Sequence, residues 1–143
     1  MTEEVWLTII GEQISPDGEK ERNQTKCRAR YRRDGERHVL EYEERGEEGD
    51  KPTLSHLLIE RERIEISRKG MVDSRMVMER EKEHDCLYET PYGAFPMKIR
   101  TEHVNCLETD EKIHARARYT LVMEGNYTAD CAVTIRIDPV KSE

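Results

Sequence analysis

His84 and Cys86 come closest to a catalytic pair in this chain, because a neighbouring histidine is the usual means of activating a thiol. In a strand their backbones would be about 6.6 Å apart, so a direct hydrogen bond requires both side chains to lean together. Asp85 lies between them and disfavours a thiolate. We therefore interpret the pair as two half-buried structural residues, and we expect the protein not to be an enzyme.

A metal centre is the next chemistry that these residue types permit, if neighbouring strands bring four donors together. The candidate ligands are His38, His84, Cys86 and His103. No two of them have a recognised ligand spacing, and none of the cysteines has C-x-x-C spacing. The cysteines are Cys27, Cys86, Cys106 and Cys131. We expect reduced thiols, no cofactor and no stoichiometric zinc.

A run of alternating basic residues forms a ladder on one face of a predicted strand, and such a ladder could track a phosphate backbone. The ladder consists of Lys26, Arg28, Arg30 and Arg32. Glu36, Glu41 and Glu43 come next in the chain and could pair with it across a sheet. Few aromatic residues adjoin it for base stacking. Solvated charge is the favoured interpretation, and a protein- or RNA-interaction module is the alternative function.

Polar and aromatic side chains gather around Pro91, which interrupts a predicted strand. An interrupted strand re-aims its side chains, as bulges do beside functional sites. The predicted ligand-binding residues are Arg68, His84, Tyr88, Thr90, Tyr92 and Thr101. In this hypothesis Arg68 and His84 contact a polar or anionic group, and the tyrosines shape the mouth of the site. The alternative is that the segment only bends the strand so that a barrel can close.

The elements that must position these residues can be predicted from an alternation of apolar and polar side chains. It is clearest from Ile113 to Met123, where apolar residues and residues such as Arg116 and Arg118 fall on opposite faces. The pattern predicts short antiparallel strands joined by tight turns, with Asp34-Gly35 as the strongest hairpin signal. The predicted strands are Val5–Ile14, Thr25–Arg33, His38–Tyr42, Thr53–Glu60, Arg63–Arg68, Met71–Glu79, His84–Thr90, Phe95–Val104, Lys112–Met123 and Thr128–Ile137.

These strands predict an all-β, antiparallel up-and-down barrel of about 8–10 strands. Polar groups fall on the same faces as the apolar residues, and small residues accompany them. The inward polar set is Tyr31, His38, Tyr42, Arg68, His84, Cys86, Tyr88, Thr90, Thr101, His103 and Tyr119. Together they suggest a lumen that holds water or a ligand; the alternative is a filled barrel. The facing of His56 and Arg75 stays open, because both faces of their segments carry apolar residues.

Composition bounds the class of protein. A length of 143 residues predicts one domain, residues 1–143. The charged fraction of 38% and the hydrophobic fraction of 35% are compatible with a barrel whose outer face is exposed to solvent. A net charge of −7 makes bulk binding of nucleic acid or an anionic membrane unlikely. No apolar run could span a membrane, and the acidic start, Met1–Glu4, is not a signal peptide. We expect a cytoplasmic protein, either a monomer or a homodimer.

One stretch of the chain carries a family resemblance. Arg75-Met76-Val77, His84 and the run Tyr88-Glu89-Thr90-Pro91-Tyr92-Gly93-Ala94-Phe95-Pro96-Met97 resemble the YwiB-like proteins, a bacterial domain of unknown function. The opening Val5–Gly11 and the segment Leu40–Glu44 fit as well. The resemblance covers essentially the whole chain and is most specific at Thr-Pro-Tyr-Gly.

The resemblance implies a calycin-like barrel, related in architecture to lipocalins and fatty-acid-binding proteins, and it implies no established activity. A typical lipocalin has Gly-x-Trp in its first strand and an arginine over the tryptophan. Here Glu4-Val5 precedes Trp6, so the glycine is missing, and Arg136 is predicted to point outward. We therefore predict a non-enzymatic barrel whose lumen binds a small polar or anionic ligand.

Overall fold

The computed structural model describes residues 2–44, 52–109, 111–123 and 127–140. Within them the chain folds into ten β-strands and no helix. The strands are β1 (Thr2–Ile14), β2 (Lys20–Asp34), β3 (Arg37–Glu44), β4 (Thr53–Ile59), β5 (Arg63–Lys69), β6 (Ser74–Glu79), β7 (Glu83–Thr90), β8 (Gly93–Glu108), β9 (Ile113–Met123) and β10 (Tyr127–Pro139).

The ten strands form one antiparallel sheet that curls until its two edges meet. Their order is β6-β5-β4-β3-β2-β1-β10-β9-β8-β7, so β1 and β10 pair and every other neighbour is consecutive in the chain. Asp73 and Glu89 join the edges, and the N–H of each donates to the carbonyl oxygen of the other at 2.9 Å. The prediction of an all-β up-and-down barrel is confirmed, and the barrel is nearly closed.

Alternation places the apolar face of each strand inside the barrel. In β9, Ile113, Ala115 and Ala117 are buried, whereas His114 and Arg116 are exposed. The core is one cluster drawn from all ten strands. Its side chains with no exposed surface include Leu7, Leu40, Leu57, Ile59, Ile64, Met78, Ile99 and Ile135.

A β-bulge in β8 changes which residues face inward. The pairing of β8 with β9 shifts register between Thr101 and His103, so Glu102 is an extra residue. Thr101 is buried and faces the lumen, but His103 is exposed. The prediction that His103 faces inward is therefore wrong, because strict alternation fails at a bulge.

The structure also decides the segments whose facing was open. Ser55 is buried and faces the lumen, whereas its neighbour His56 is exposed. Arg75 is exposed and pairs with the Glu65 carboxylate on the outer surface. The strand predicted from Met71 begins instead at Ser74, because residues 70–73 form the β5–β6 turn.

The barrel wall opens where β2 and β3 diverge. The two strands pair only from Arg30 with Glu41 to Asp34 with Arg37, although β2 pairs with β1 as far as Lys20. Tyr42 and Glu44, at the far end of β3, have no strand partner in β2. A groove of about 620 Å³ lies at this opening, with Tyr42, Arg28 and Leu54 in its lining.

The sequence also allowed predictions about membrane spans and about the cysteines. The described part of the chain has no helix that could cross a membrane. All four cysteines are free thiols, and each lies on a lumen-facing position of its strand.

Candidate functional site

A row of polar side chains crosses the inner face of four consecutive strands. The β-pairing places Tyr42 of β3 opposite Ser55 of β4, Ser55 opposite Arg68 of β5, and Arg68 opposite Ser74 of β6. Because paired residues share a face of a sheet, all four side chains are directed to the same level of the barrel. We call these four residues the polar layer.

Each member of the polar layer has a buried polar atom that is incompletely hydrogen-bonded among the described residues, although the Tyr42 and Ser55 hydroxyls interact with each other. The atoms are Tyr42 Oη, Ser55 Oγ, Arg68 Nε and Ser74 Oγ. An unpaired buried polar group costs about 1–3 kcal/mol, so a row of incompletely bonded groups requires further partners. Hydroxyls and a guanidinium in one row are groups that can bind ordered water or the polar group of a ligand.

Arg68 supplies the charge of the polar layer. Its Nε lies 3.4 Å from Glu44 Oε2, and both side chains are roughly three-quarters buried. This ion pair does not meet hydrogen-bond geometry, and Arg68 Nε has no hydrogen-bond partner among the described residues. The planar guanidinium therefore keeps its paired N–H donors, the arrangement that recognises carboxylate and phosphate groups bidentately.

The phenol of Tyr42 stays protonated beside Arg68. Burial raises the pKa of Tyr42 to about 12, with the Glu44 carboxylate adding to the rise. The hydroxyl is therefore a hydrogen-bond donor at any physiological pH. Together with the two serine hydroxyls, it allows the polar layer to donate several hydrogen bonds to one acceptor group.

An apolar floor lies directly below the polar layer. The next inward row on the same four strands pairs Leu40 with Leu57, Leu57 with Ile66, and Ile66 with Met76. Leu40 and Leu57 have no exposed surface. The inner face thus places the polar layer next to a row of apolar side chains. Many small-molecule sites combine polar and apolar groups in this way.

The remaining wall of the lumen carries a tyrosine and two thiols, Tyr119, Cys131 and Cys86, and none of them is activated. Burial raises the pKa of Tyr119 well above its ordinary value, and it raises the pKa of Cys131 to about 11. Burial also raises the pKa of Cys86. A nucleophilic cysteine needs the opposite shift, so the geometry favours binding over covalent chemistry.

The predicted ligand residues do not all meet. The bridge between Asp73 and Glu89 places Tyr88 beside Ser74, so Tyr88 continues the polar layer onto β7. His84 lies four residues further along β7, about 13 Å away. It hydrogen-bonds instead to Glu79, with Nε2 and Oε1 2.9 Å apart.

The remaining predicted residues have other surroundings. Thr90 holds the β7–β8 turn, donating to the Gly93 carbonyl oxygen at 3.2 Å and accepting from the Tyr92 N–H at 3.1 Å. The Tyr92 side chain is 94% exposed and stands in solvent. Thr101 is buried opposite Tyr119, and its hydroxyl has no partner among the described residues. Sequence reasoning found Arg68 and Tyr88, and it missed Ser55 and Ser74.

The polar layer adjoins a groove on the outer surface, near the edge where β6 meets β7. The groove has a volume of about 540 Å³, and Arg68 and Ser74 contribute to its lining together with Leu54 and Leu87. Leu54 and Leu87 are exposed, which gives the groove an apolar rim. Arg68 is therefore part of both the polar layer and the wall of this groove.

A second polar cluster closes the opposite end of the barrel, and sequence reasoning did not find it. Tyr31 Oη lies 2.7 Å from His38 Nδ1, and His38 Nε2 lies 3.8 Å from Glu108 Oε2. Arg33 binds Glu108 through two hydrogen bonds of 2.6 and 3.0 Å. Residues 33 and 108 belong to β2 and β8, so this pair spans the barrel end. Such a contact between distant strands leaves no local pattern in the sequence.

The buried His38 makes the stability of the fold sensitive to acid. Burial lowers the pKa of His38 below its ordinary value of 6.5, and Glu108 opposes that effect only partly. The unfolded chain therefore binds more protons than the folded one as the pH falls below 6.5, and folding stability falls with it. We expect a drop of at most about 1.4 kcal/mol per pH unit from this residue.

The test is chemical denaturation between pH 7 and pH 5. His38→Gln should reduce the slope of unfolding free energy against pH, whereas His114→Gln, at an exposed histidine, should keep it. Equal slopes in the wild type and His38→Gln would contradict this account of His38.

The candidate metal ligands do not converge. The described residues contain no group of three or more histidine, cysteine, aspartate or glutamate side chains placed to hold a metal ion. His103 is on the outer surface, and His38 is occupied by Tyr31. The basic ladder is also on the outer surface, where Arg28 Nη1 lies 2.6 Å from Glu4 Oε1.

Fold and site together define a nearly closed ten-stranded antiparallel barrel with an apolar core and a polar layer on part of its inner face. The family model described as a domain of unknown function, DUF1934, matches residues 7–135, so the chain belongs to that family. The crystal structure of the ywiB protein from Bacillus subtilis has the same fold, with a TM-score of 0.75 at 15% identity over 98% of this chain and 94% of that one. No curated protein matches. The resemblance to the YwiB-like proteins is confirmed.

Proposed function

We propose that this protein binds a small ligand in the barrel lumen and that the polar layer holds the ligand's anionic or strongly polar group. The observation that carries the proposal is the alignment of Tyr42, Ser55, Arg68 and Ser74 in one inward row, which sets the Arg68 guanidinium between hydroxyl groups. A ligand that hydrogen-bonds to these groups would supply partners that the described residues supply only in part.

The chemistry of the lumen narrows the ligand class. A guanidinium with free paired donors, surrounded by neutral hydroxyls, fits a carboxylate, phosphate or sulfonate. The Glu44 carboxylate beside Arg68 competes for the guanidinium, so the ligand also needs groups that the hydroxyls can bind. The apolar floor is already filled by its own side chains, so a hydrocarbon or aromatic body attached to that group would lie against the exposed Leu54 and Leu87 of the adjoining groove.

The proposed role is binding without catalysis. The thiols nearest the lumen, Cys86 and Cys131, have pKa values raised by burial, so they are neutral and weakly nucleophilic at pH 7. His84 is held by Glu79 about 13 Å of strand from the polar layer. No acid–base pair within the described residues adjoins the site where a substrate would lie.

Removing the Arg68 guanidinium should weaken binding of an anionic ligand strongly. The probe is 1-anilinonaphthalene-8-sulfonate, which has a sulfonate for the polar layer and aromatic rings for the apolar rim of the adjoining groove. We expect Arg68→Met to raise its Kd by roughly 10- to 100-fold, because a charge-assisted hydrogen bond contributes about 1.5–3 kcal/mol. Fluorescence titration measures the change, and native mass spectrometry of gently purified protein shows whether a natural ligand is lost with it.

The matched control is Arg75→Met. Arg75 lies on the neighbouring strand β6 but points outward to Glu65. Its substitution should therefore leave the Kd of the probe unchanged. Tyr42→Phe keeps the ring and removes one donor, and it should weaken binding by a smaller factor while the barrel stays folded. Equal effects of Arg68→Met and Arg75→Met, or no effect of either, would remove the lumen from consideration.

A further inference from the structure

The outer surface of the barrel carries a basic face that no single strand reveals. It lies on the adjacent strands β2, β1, β10, β9 and β8, on the side opposite the lumen. We define the basic face by its exposed cationic and titratable side chains. They are Arg22, Lys26, Arg28, His103, His114, Arg116, Arg118 and Arg136.

The β-pairing brings these residues together from distant parts of the chain. Thr8 of β1 lies between Lys26 of β2 and Arg136 of β10, and Arg136 in turn pairs with His114 of β9. Strands lie about 4.8 Å apart, so Lys26 and Arg136 are only about 10 Å from each other. Arg116 and Arg118 continue the face along β9, opposite Asn105 and His103 of β8.

Most of these cations have no acidic partner. Among the described residues, Lys26, Arg116, Arg118 and Arg136 form no ion pair, and Arg28 pairs only with Glu4 at the margin. Several arginines elsewhere on the barrel are neutralised, as Arg80 is by Glu62 at 3.1 Å. Unpaired like charges held on one rigid sheet repel one another, and a polyanion relieves that repulsion.

The surface also offers groups that contact nucleotides. A shallow groove of about 340 Å³ runs between Arg116, Arg118, His103 and Asn105. At the other side of the face is Trp6, which is half-buried, with Lys26 Nζ 5.4 Å and the Arg28 guanidinium 5.1 Å from its ring centre. An aromatic ring flanked by cations is a feature of surfaces that bind single-stranded nucleic acid.

We propose that the basic face binds single-stranded nucleic acid through its phosphate backbone. The outside of a barrel is convex, so a flexible strand can follow it, whereas a rigid duplex touches it over a short length. A protein partner fits less well, because the centre of the face is charged and polar where protein interfaces are apolar and aromatic. The large exposed apolar residues nearest to it, Ile14 and Leu107, lie at its margins.

The net charge of −7 leaves room for this proposal, because most of the acidic residues lie outside the basic face, as Glu41 and Glu43 do on β3. The face is not free of acids, since Glu12 and Asp130 line a groove with Arg116 and Arg118. Binding would therefore depend on a local potential and would fall steeply with salt. The acidic residues outside the basic face would limit the number of nucleotides that one protein molecule can contact.

The test is fluorescence anisotropy of a labelled oligouridylate with the full chain, from about 50 mM to about 200 mM salt. Arg116→Glu together with Arg118→Glu should weaken binding at least tenfold. Two lost phosphate contacts should also reduce the slope of log affinity against log salt by about 1.4. Trp6 is the only tryptophan, so its fluorescence should change over the same titration.

The matched control is Arg61→Glu together with Lys69→Glu, which changes the net charge equally at exposed positions outside the basic face. The control should bind like the wild type, and thermal unfolding checks that both variants are folded. Absence of binding at the lowest salt, or equal loss in both double variants, would overturn the proposal. Polyglutamate binding as tightly as the oligouridylate would overturn the assignment to nucleic acid in favour of an acidic protein partner.

Discussion

Leu57→Ala is expected to lower the free energy of unfolding by about 3 kcal/mol. Leu57 has no exposed surface and lies in the middle of the apolar floor, between Leu40 and Ile66. Its removal takes away apolar burial and leaves a cavity that a hydrogen-bonded barrel wall cannot collapse to fill. Urea denaturation followed by circular dichroism measures the change, and the slope with denaturant should stay the same.

Leu54→Ala on the same strand is the matched control. Leu54 points outward and is 54% exposed, so the same substitution should change stability by no more than about 0.5 kcal/mol. Similar losses in the two variants would mean that the apolar floor is not a closely packed layer. The Leu57 variant also enlarges the space below the polar layer, so it links core packing to the shape of the lumen.

Gly70→Ala is the second substitution with a large expected effect, again about 3 kcal/mol of destabilisation. Gly70 has a φ of +146°, where residues with a side chain are strained. A Cβ at this position would lie 2.7 Å from the Pro52 carbonyl oxygen and 2.8 Å from Thr53 Cα. Both are backbone atoms, so neither can turn aside as a flexible side chain would.

This glycine matters to the site because of its position. It comes directly after Arg68 and Lys69 of β5 and packs against the start of β4, so it holds the strands of the polar layer in register. We therefore expect Gly70→Ala to weaken binding of the anionic probe as well as stability. Thermal unfolding and the fluorescence titration measure the two effects on one preparation.

Gly18→Ala provides the comparison for Gly70. Gly18 also has a positive φ, +88°, but a Cβ there meets no atom within 4 Å. It should cost about 1 kcal/mol, from the backbone conformation alone. If both alanine variants lose the same stability, the close approach to Pro52 contributes nothing.

Much of the fold could be predicted because alternation is a local property. The period of two in segments such as Ile113–Met123 places each side chain on one of two faces, and ten such segments predict a barrel. The same rule correctly placed Tyr42 and Arg68 inside. It failed at His103, because one extra residue in β8 reverses the facing of the residues after Thr101.

The candidate site was only partly predictable, because it depends on which residues are paired. Ser55 and Ser74 were not identified, since their segments carry apolar residues on both faces and alternation could not decide the facing. His84 and Arg68 share an inward orientation, but they lie two strands apart and the register offsets them by four residues, about 13 Å along the strand direction. Tyr92 comes after the strand break as expected, yet its side chain is in solvent.

The sequence by itself determined that this chain is an antiparallel barrel of the YwiB-like type with some polar side chains among its inward-facing residues. That information is local, because each residue's facing depends mainly on its neighbours in the strand. Only the tertiary structure decided that Tyr42, Ser55, Arg68 and Ser74 form one row, that Arg33 meets Glu108 across the barrel end, and that Lys26 and Arg136 share one face. These relations depend on register and closure, which are set by contacts between strands far apart in the chain.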